Sequence, residues 1–311
     1  MCLVKVLMST YNGEKYLREQ IDSILEQELV TVKLLVRDDG SSDSTLNILA
    51  DYPDISVIKG RNIGVGKSFM TLLTEAGDAD YYAFSDQDDV WHKDKLIRAI
   101  EAIKKSDKQG KPILYGCNQR CIDSEGQFLY TRFPSDYKLP VKEECLFRND
   151  ISGCTMVINK AYKKILVEKM PDFELFSMQI HDIWISEVAS FAGEDIFDNT
   201  STIDFRRHGN NFSQEVISET NYKSKLTLLC DRFKRTYKGH IKKGGISKAA
   251  EQLLLLYSEY MSENEIKNLE LIKDYKVSFK RKLQLLHSNM FSTCVSENRM
   301  YFIIKIVFNV L

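Results

Sequence analysis

Asp86-Gln87-Asp88-Asp89 places three carboxylates in four residues, directly after the apolar segment Tyr81-Tyr82-Ala83-Phe84-Ser85. Carboxylates this crowded repel one another and are relieved by a shared cation. Hard oxygen ligands of this kind suit Mg²⁺ or Mn²⁺, above all where substrate phosphates complete the shell. The plainer reading of the same residues is an acidic turn that caps a helix starting near Lys93. A second acidic cluster, Asp38-Asp39-Gly40-Ser41-Ser42-Asp43-Ser44-Thr45, follows the apolar run 32–36 and leads into a helical pattern at Leu46 and Leu49. Gly40 permits a tight turn, and Ser and Asp are good helix caps. A turn alone does not need two adjacent carboxylates at a strand end, and Asp39 there could accept a hydrogen bond from a nucleobase N–H.

These clusters need elements to hold them. Residues 3–8 read as an apolar strand that ends in Ser9-Thr10-Tyr11-Asn12-Gly13-Glu14, and a helix follows with Leu17, Ile21, Ile24 and Leu25 on one face. The design apolar strand, polar or acidic tip, amphipathic helix therefore occurs three times. It predicts a parallel sheet covered by helices, with ligands outside the carboxyl ends of the strands. Further strands are expected at 112–117, at 151–158 with Gly153 interrupting it, and at 202–205, and further helices from Lys95 and from Asn159. Residues 118–150 are poorly periodic, with a turn at Asp123-Ser124-Glu125-Gly126. Gly153 serves either close approach of a ligand or a bulge. Gly64-Val65-Gly66-Lys67-Ser68 resembles the end of a phosphate-binding loop, but the glycine required six places before the lysine is Arg61. Lys67 either meets a phosphate or stays solvated.

Ser9-Thr10-Tyr11-Asn12, Asp38-Asp39-Gly40-Ser41, Arg61-Asn62-x-Gly64 and Asp86-Gln87-Asp88-Asp89-x-Trp91, in that order and spacing, resemble family 2 glycosyltransferases of the GT-A fold. His181-Asp182 and Arg206-x-His208-Gly209-Asn210-Asn211 extend the likeness, most of all to bacterial rhamnosyltransferases. The resemblance covers residues 1–215. It implies an α/β fold with a Rossmann-like, mixed but mainly parallel sheet flanked by helices, and a helical C-terminal appendage over 216–311. It implies that Thr10, Tyr11, Asn12, Asp39, Asn62, Lys67, Asp86 and Gln87 hold a nucleotide-sugar. It implies that Asp86, Asp88 and His208 hold Mn²⁺ or Mg²⁺. On the residues alone, Asp182 reads as a helix cap ahead of Ile183, Trp184, Ile185 and Val188. The resemblance instead makes it the general base of an inverting transfer. The expected donor is dTDP-rhamnose, with a UDP-hexose as the alternative, and the acceptor is a saccharide or lipid-linked saccharide of bacterial surface polysaccharide synthesis. Trp91 or Trp184 could offer an apolar patch to a deoxy sugar, or could be plain core.

Composition restricts the partners. A net charge of −1 over 311 residues gives no global pull toward nucleic acid or anionic lipid. Seven scattered cysteines, with Cys117 and Cys121 the only close pair, suit reduced thiols in a cytoplasmic protein rather than a disulfide framework or a zinc site. Neither a signal peptide nor an 18-residue apolar span is expected. After about residue 215 the character changes. Between Lys223 and Lys248 stand nine basic residues against the single acid Asp231, and the chain closes on the apolar stretch 301–311. A basic helical region with an apolar end suits peripheral attachment to the inner face of a cell membrane. The other reading is a helical appendage that packs on the catalytic part or on a second copy in a homo-oligomer.

Overall fold

The computed structural model describes residues 1–107, 110–140, 142–209, 244–294 and 299–311. They divide into two compact units: Met1–Pro140, Asn149–Met170 and Ile180–Arg207 make the first, and Val141–Arg148, Pro171–Gln179 and His208–Leu311 make the second. The expected boundary near 215 and most of the basic run 223–248 lie outside the described residues, as do Asn210 and Asn211.

The first unit is a nine-stranded mixed sheet in the order β3-β2-β1-β4-β8-β6-β9-β5, with β7 paired to β6. The strands are β1 (Cys2–Thr10), β2 (Val30–Asp38), β3 (Ser56–Lys59), β4 (Tyr81–Ser85), β5 (Val90–Trp91), β6 (Ile113–Ile122), β7 (Phe128–Thr131), β8 (Val157–Asn159) and β9 (Glu194–Arg206). The first four of that order run parallel. β1 lies between β2 and β4, with Val6 opposite both Leu34 and Ala83. Strands buried on both faces read as continuous apolar runs, which is why these three stand out in the sequence. Val4, Val6 and Met8 point to one face, in a cluster with Leu17, Ile21 and Ile24 of α1 (Leu17–Leu25) and Leu96 and Ile100 of α4 (Lys95–Ser106). α2 (Thr45–Ala50) follows β2, and α3 (Val65–Glu75) packs on β1. The register sets Thr10 beside Asp38 and Met8 beside Ser85, so the three polar tips leave the sheet at one edge.

The later strands depart from the expected pattern. β6 runs on to Ile122, because the polar residues that end its apolar run are all satisfied. Asn118 Nδ2 donates to the Phe133 carbonyl at 2.8 Å, and Arg120 pairs with Asp204 at 2.7 Å. The short strand β7, exposed and at the edge, gave no burial signal. Residues 151–158 do not form the expected strand. Gly153–Thr155 turns as a 3₁₀ helix and only Val157–Asn159 pairs, with Asn159 then capping α5 (Lys160–Glu168) by accepting from the Tyr162 N–H. Trp91 and Trp184 are 3% and 0% exposed, so both are core and neither offers a face to a ligand.

The second unit is helical: Gly245–Tyr257, Glu263–Asp274, Phe279–Leu286, Asn289–Cys294 and Arg299–Val307. Ser262 and Glu265 form a reciprocal capping box at the second of these. Leu253, Leu269, Ile272, Phe291 and Ile306 are buried, and Phe147 sets its ring edge-on to Phe302 at 5.1 Å. Among the described residues no helix is long and apolar enough to cross a membrane.

Candidate functional site

The first two tips are sewn together through the backbone. Asn12 adopts φ 48°, and its side-chain carbonyl accepts from the Ser42 N–H at 2.8 Å. The Asn12 N–H donates to Ser41 Oγ at 2.9 Å, and the Gly13 N–H to Thr45 Oγ1 at 2.8 Å. Asp38 builds its own turn, accepting from Thr10 Oγ1 at 3.1 Å and from the Ser41 N–H at 3.0 Å. Asp39 is buried. It pairs with Arg37 and accepts from the Ile63 and Gly64 N–H groups at 2.8 and 2.9 Å. Two carboxylate oxygens offer about four acceptor positions, so one position on Asp39 is left by these three bonds. Asn62 braces the same loop by accepting from the Gly64 N–H at 3.1 Å, and Lys67 lies in the first turn of α3.

The third tip is fastened to the first by Gln87. Its Oε1 accepts from the Tyr11 N–H at 2.8 Å and its Nε2 donates to the Tyr11 carbonyl at 3.1 Å. A Cβ on Gly13 would come within 2.3 Å of Gln87 Oε1, so this clamp requires glycine there. The clamp leaves the Tyr11 ring half exposed over the tip.

The charge of Asp182 acts on Asp86 here. Burial first, then Asp88 and then Asp182, push the Asp86 carboxyl up to about 7. Asp89 is fully buried; burial, Asp88 and Asp86 push it well up, and the Arg206 N–H, donating to its Oδ1 at 3.0 Å, works against them. Asp182 lies in the first turn of α6 (His181–Ala192), one residue past the helix start, where its Oδ1 accepts from the Ile183 N–H at 2.8 Å. Its Oδ2 accepts from the Gly153 N–H at 3.2 Å. Burial raises this carboxyl to about 6, held from going further by those two N–H groups and by the Arg132 guanidinium. Asp182 thus does not cap the helix: the N-cap position is Ile180.

Gly153 has a reason that neither a bulge nor a close-packed sugar supplies. A Cβ there would fall 2.8 Å from His181 Nε2. The His181 ring stacks on Phe69 at 4.0 Å, is buried, and is kept neutral by that burial, its basicity lowered to about 3. His181 is packing that fixes where α6 begins. Arg206 is likewise spent on the fold. Its side chain is 3% exposed, pairs with Glu19 at 2.7 Å, and donates from Nε to the Asp88 carbonyl at 3.0 Å. His208 opens the third segment of the second unit.

Among the described residues, Asp86, Asp89 and Cys154 place potential ligand atoms within 4.8 Å of one another. The donor chemistry favours a hard cation on the carboxylate side. Burial pushes the Cys154 thiol well up, and Gln119 Nε2 donates to its sulfur at 3.3 Å, whereas Asp86 and Asp88 are half-buried oxygen donors that crowd each other. Such a pair fits Mg²⁺ or Mn²⁺ completed by phosphate oxygens. Cys154 and Arg132 were not singled out in the sequence, and Asp89 only as part of its carboxylate cluster. Arg132 lies in the aperiodic segment, just past the β6–β7 hairpin, and acts on Asp182 through its charge.

A family model described as "Glycosyl transferase family 2" matches residues 5–166. The chain is 30% identical over 243 residues to the dTDP-rhamnosyl transferase RfbG of Shigella flexneri, covering 71% of this chain and 78% of that one. It is 30% identical over 185 residues to an uncharacterized glycosyltransferase of Rickettsia prowazekii, of whose length it spans 56%. It is 34% identical over 104 residues to the putative teichuronic acid biosynthesis glycosyltransferase TuaG of Bacillus subtilis, 41% of that protein. Among solved structures, residues 1–349 of S. aureus TarS in complex with UDP superpose with a TM-score of 0.61 at 15% identity, over 99% of this chain and 88% of that one.

Proposed function

The chain belongs to glycosyl transferase family 2, and from that premise we propose an inverting transfer of L-rhamnose from dTDP-rhamnose to a saccharide or lipid-linked saccharide of bacterial surface polysaccharide synthesis. The observation that supports this reading is that the Asp182 charge acts on Asp86, at the carboxyl end of the parallel strand β4. A base would then neighbour the diphosphate site. In this reading the remaining acceptor position of Asp39 takes the N–H of the base, and the exposed ring of Tyr11 lies against it. Thr10, Asn12 and Gln87 hold the loop that carries the nucleotide, and Asn62 and Lys67 border it. A bound Mg²⁺ or Mn²⁺, held by Asp86 and Asp88, would neutralise charge on the departing diphosphate. Asp182 takes the proton of the acceptor hydroxyl as its oxygen attacks the anomeric carbon from the face opposite the leaving group, so configuration inverts. A base titrating near 6 is ionised at neutral pH yet still basic enough to accept that proton. The second unit is assigned to the inner face of the cell membrane, where a lipid-linked acceptor would be presented.

The sugar rests on the Shigella relative and on the likeness of the motifs to rhamnosyltransferases, since the burial of both tryptophans removes the apolar patch they could have offered a deoxy sugar. The test is transfer from a panel of dTDP- and UDP-sugars, with NMR of the product. Transfer from dTDP-β-L-rhamnose with an α linkage is expected. Preference for a UDP-hexose would sink the donor, and retained configuration would sink the base.

Gly153→Ala tests the base from behind. The added Cβ must displace the His181 ring, and with it the start of α6 that carries Asp182. A shift of roughly 1 Å at a reacting group costs on the order of 10²-fold in rate. We expect kcat to fall by about that factor with donor affinity unchanged; an unaltered kcat would show that His181 does not set the position of Asp182.

A further inference from the structure

The helix Phe279–Leu286 buries only Leu285. Phe279 is 75% exposed, and Val277 and Leu283 beside it are exposed too. Lys282 Nζ donates to the Val307 carbonyl at 3.1 Å, which joins this helix to the end of Arg299–Val307, where Val307 and Phe308 are again exposed. Single apolar side chains on a surface need no explanation, but several gathered on two joined segments mark an interaction face. The charge around them is mainly positive. Residues 273–294 and 299–311 hold seven Lys and Arg against the single acid Asp274, and Lys276, Lys280, Arg281 and Arg299 are exposed.

We infer that this face docks on an anionic membrane surface, with Phe279 and Phe308 entering the headgroup–acyl boundary and Lys280 and Arg281 meeting lipid phosphates. An amphipathic helix with basic flanks binds the interface in this way. A second copy of the chain would set like charges against each other across the same patch, which disfavours it as the occupant. The inference rests on the membrane placement in the proposed function and gives it a surface; nucleotide binding by the first unit does not depend on it.

The experiment is flotation of the full-length protein with phosphatidylcholine vesicles, with and without phosphatidylglycerol, alongside titration with dTDP. The variants are Lys280→Gln/Arg281→Gln and Phe279→Ser/Phe308→Ser. All four positions are exposed, so the fold and dTDP affinity should persist. Wild-type protein should bind only the anionic vesicles. Each basic residue near a charged surface contributes about 1 kcal/mol, so losing two should weaken binding about 30-fold. The phenylalanine variant should lose the binding that survives added salt. Wild-type protein that ignores anionic vesicles, or variants that bind them as it does, would overturn the assignment. So would lipid-free self-association abolished by Phe279→Ser/Phe308→Ser without any vesicle binding, which would make the face a dimer contact. Vesicle binding without any sugar transfer would instead sink the transferase reading and leave this surface standing.

Discussion

Asp182→Asn should cut sugar transfer by about 10²–10⁴-fold while leaving donor binding in place. The base acts on the acceptor proton and not on the nucleotide, so turnover and donor affinity should separate. Asparagine keeps one carbonyl oxygen for the Ile183 N–H, the shorter of the two bonds that Asp182 makes with the backbone, so the start of α6 should survive. The wild-type pH profile provides a second reading. Only the ionised carboxylate can take a proton, and burial sets its titration at about 6, so the transfer rate should fall as pH drops below about 6. Wild-type turnover by Asp182→Asn would refute the assignment. A variant that melts far earlier would mean that the carboxylate matters to the helix and not to the chemistry.

Asp88→Asn should abolish the dependence of nucleotide binding on a divalent cation. Losing a residue that only supports a ligand typically costs 10–100-fold in metal affinity, so losing a ligand should cost at least about 10²-fold. The bond from Arg206 Nε to the Asp88 carbonyl does not involve the group that is changed. The same variant should relax Asp86, whose carboxyl is raised in part by the Asp88 charge. The sign follows from linkage. A carboxyl raised from 3.8 to about 7 on folding contributes stability below its unfolded value that is lost as pH rises through about 7. Cation-free wild-type protein should therefore lose melting temperature over that interval, and Asp88→Asn should lose less. Calorimetric titration of dTDP with and without Mn²⁺, with melts across the same pH range, checks both. Unchanged cation dependence would remove Asp88 from the site.

The strand tips were legible because burial and chemistry change together there. In β1, β2 and β4 a run of apolar residues stops where polar groups begin, and a parallel register then brings the three ends to one edge. The carboxylates were visible for the same reason. What the residues could not show is who touches whom. Gly153 looks like a strand interruption until the His181 ring, 28 residues along the chain, occupies the space of its absent Cβ. Arg206 looks like a cation awaiting a phosphate until Glu19 and the Asp88 carbonyl claim it. Tyr11 and Gln87 both belong to recognisable motifs, but only their pairing explains why Gly13 must lack a side chain. Each of these depends on packing between distant segments, to which periodicity is blind.

The Arg206 contacts carry a consequence for anyone recombining this chain with its relatives. One residue near the end of the sheet domain fastens α1 through Glu19, the carboxylate turn through Asp88 and Asp89, and the hairpin after β6 through Ser124. A chimera joined in the region between α4 and β6 would take Glu19 and the carboxylate turn from one parent and the arginine and hairpin from the other. Such a hybrid inherits both halves of the chemistry but not the knot between them. A crossover that carries Glu19 together with Arg206, or exchanges the whole domain up to Arg207, keeps that knot tied.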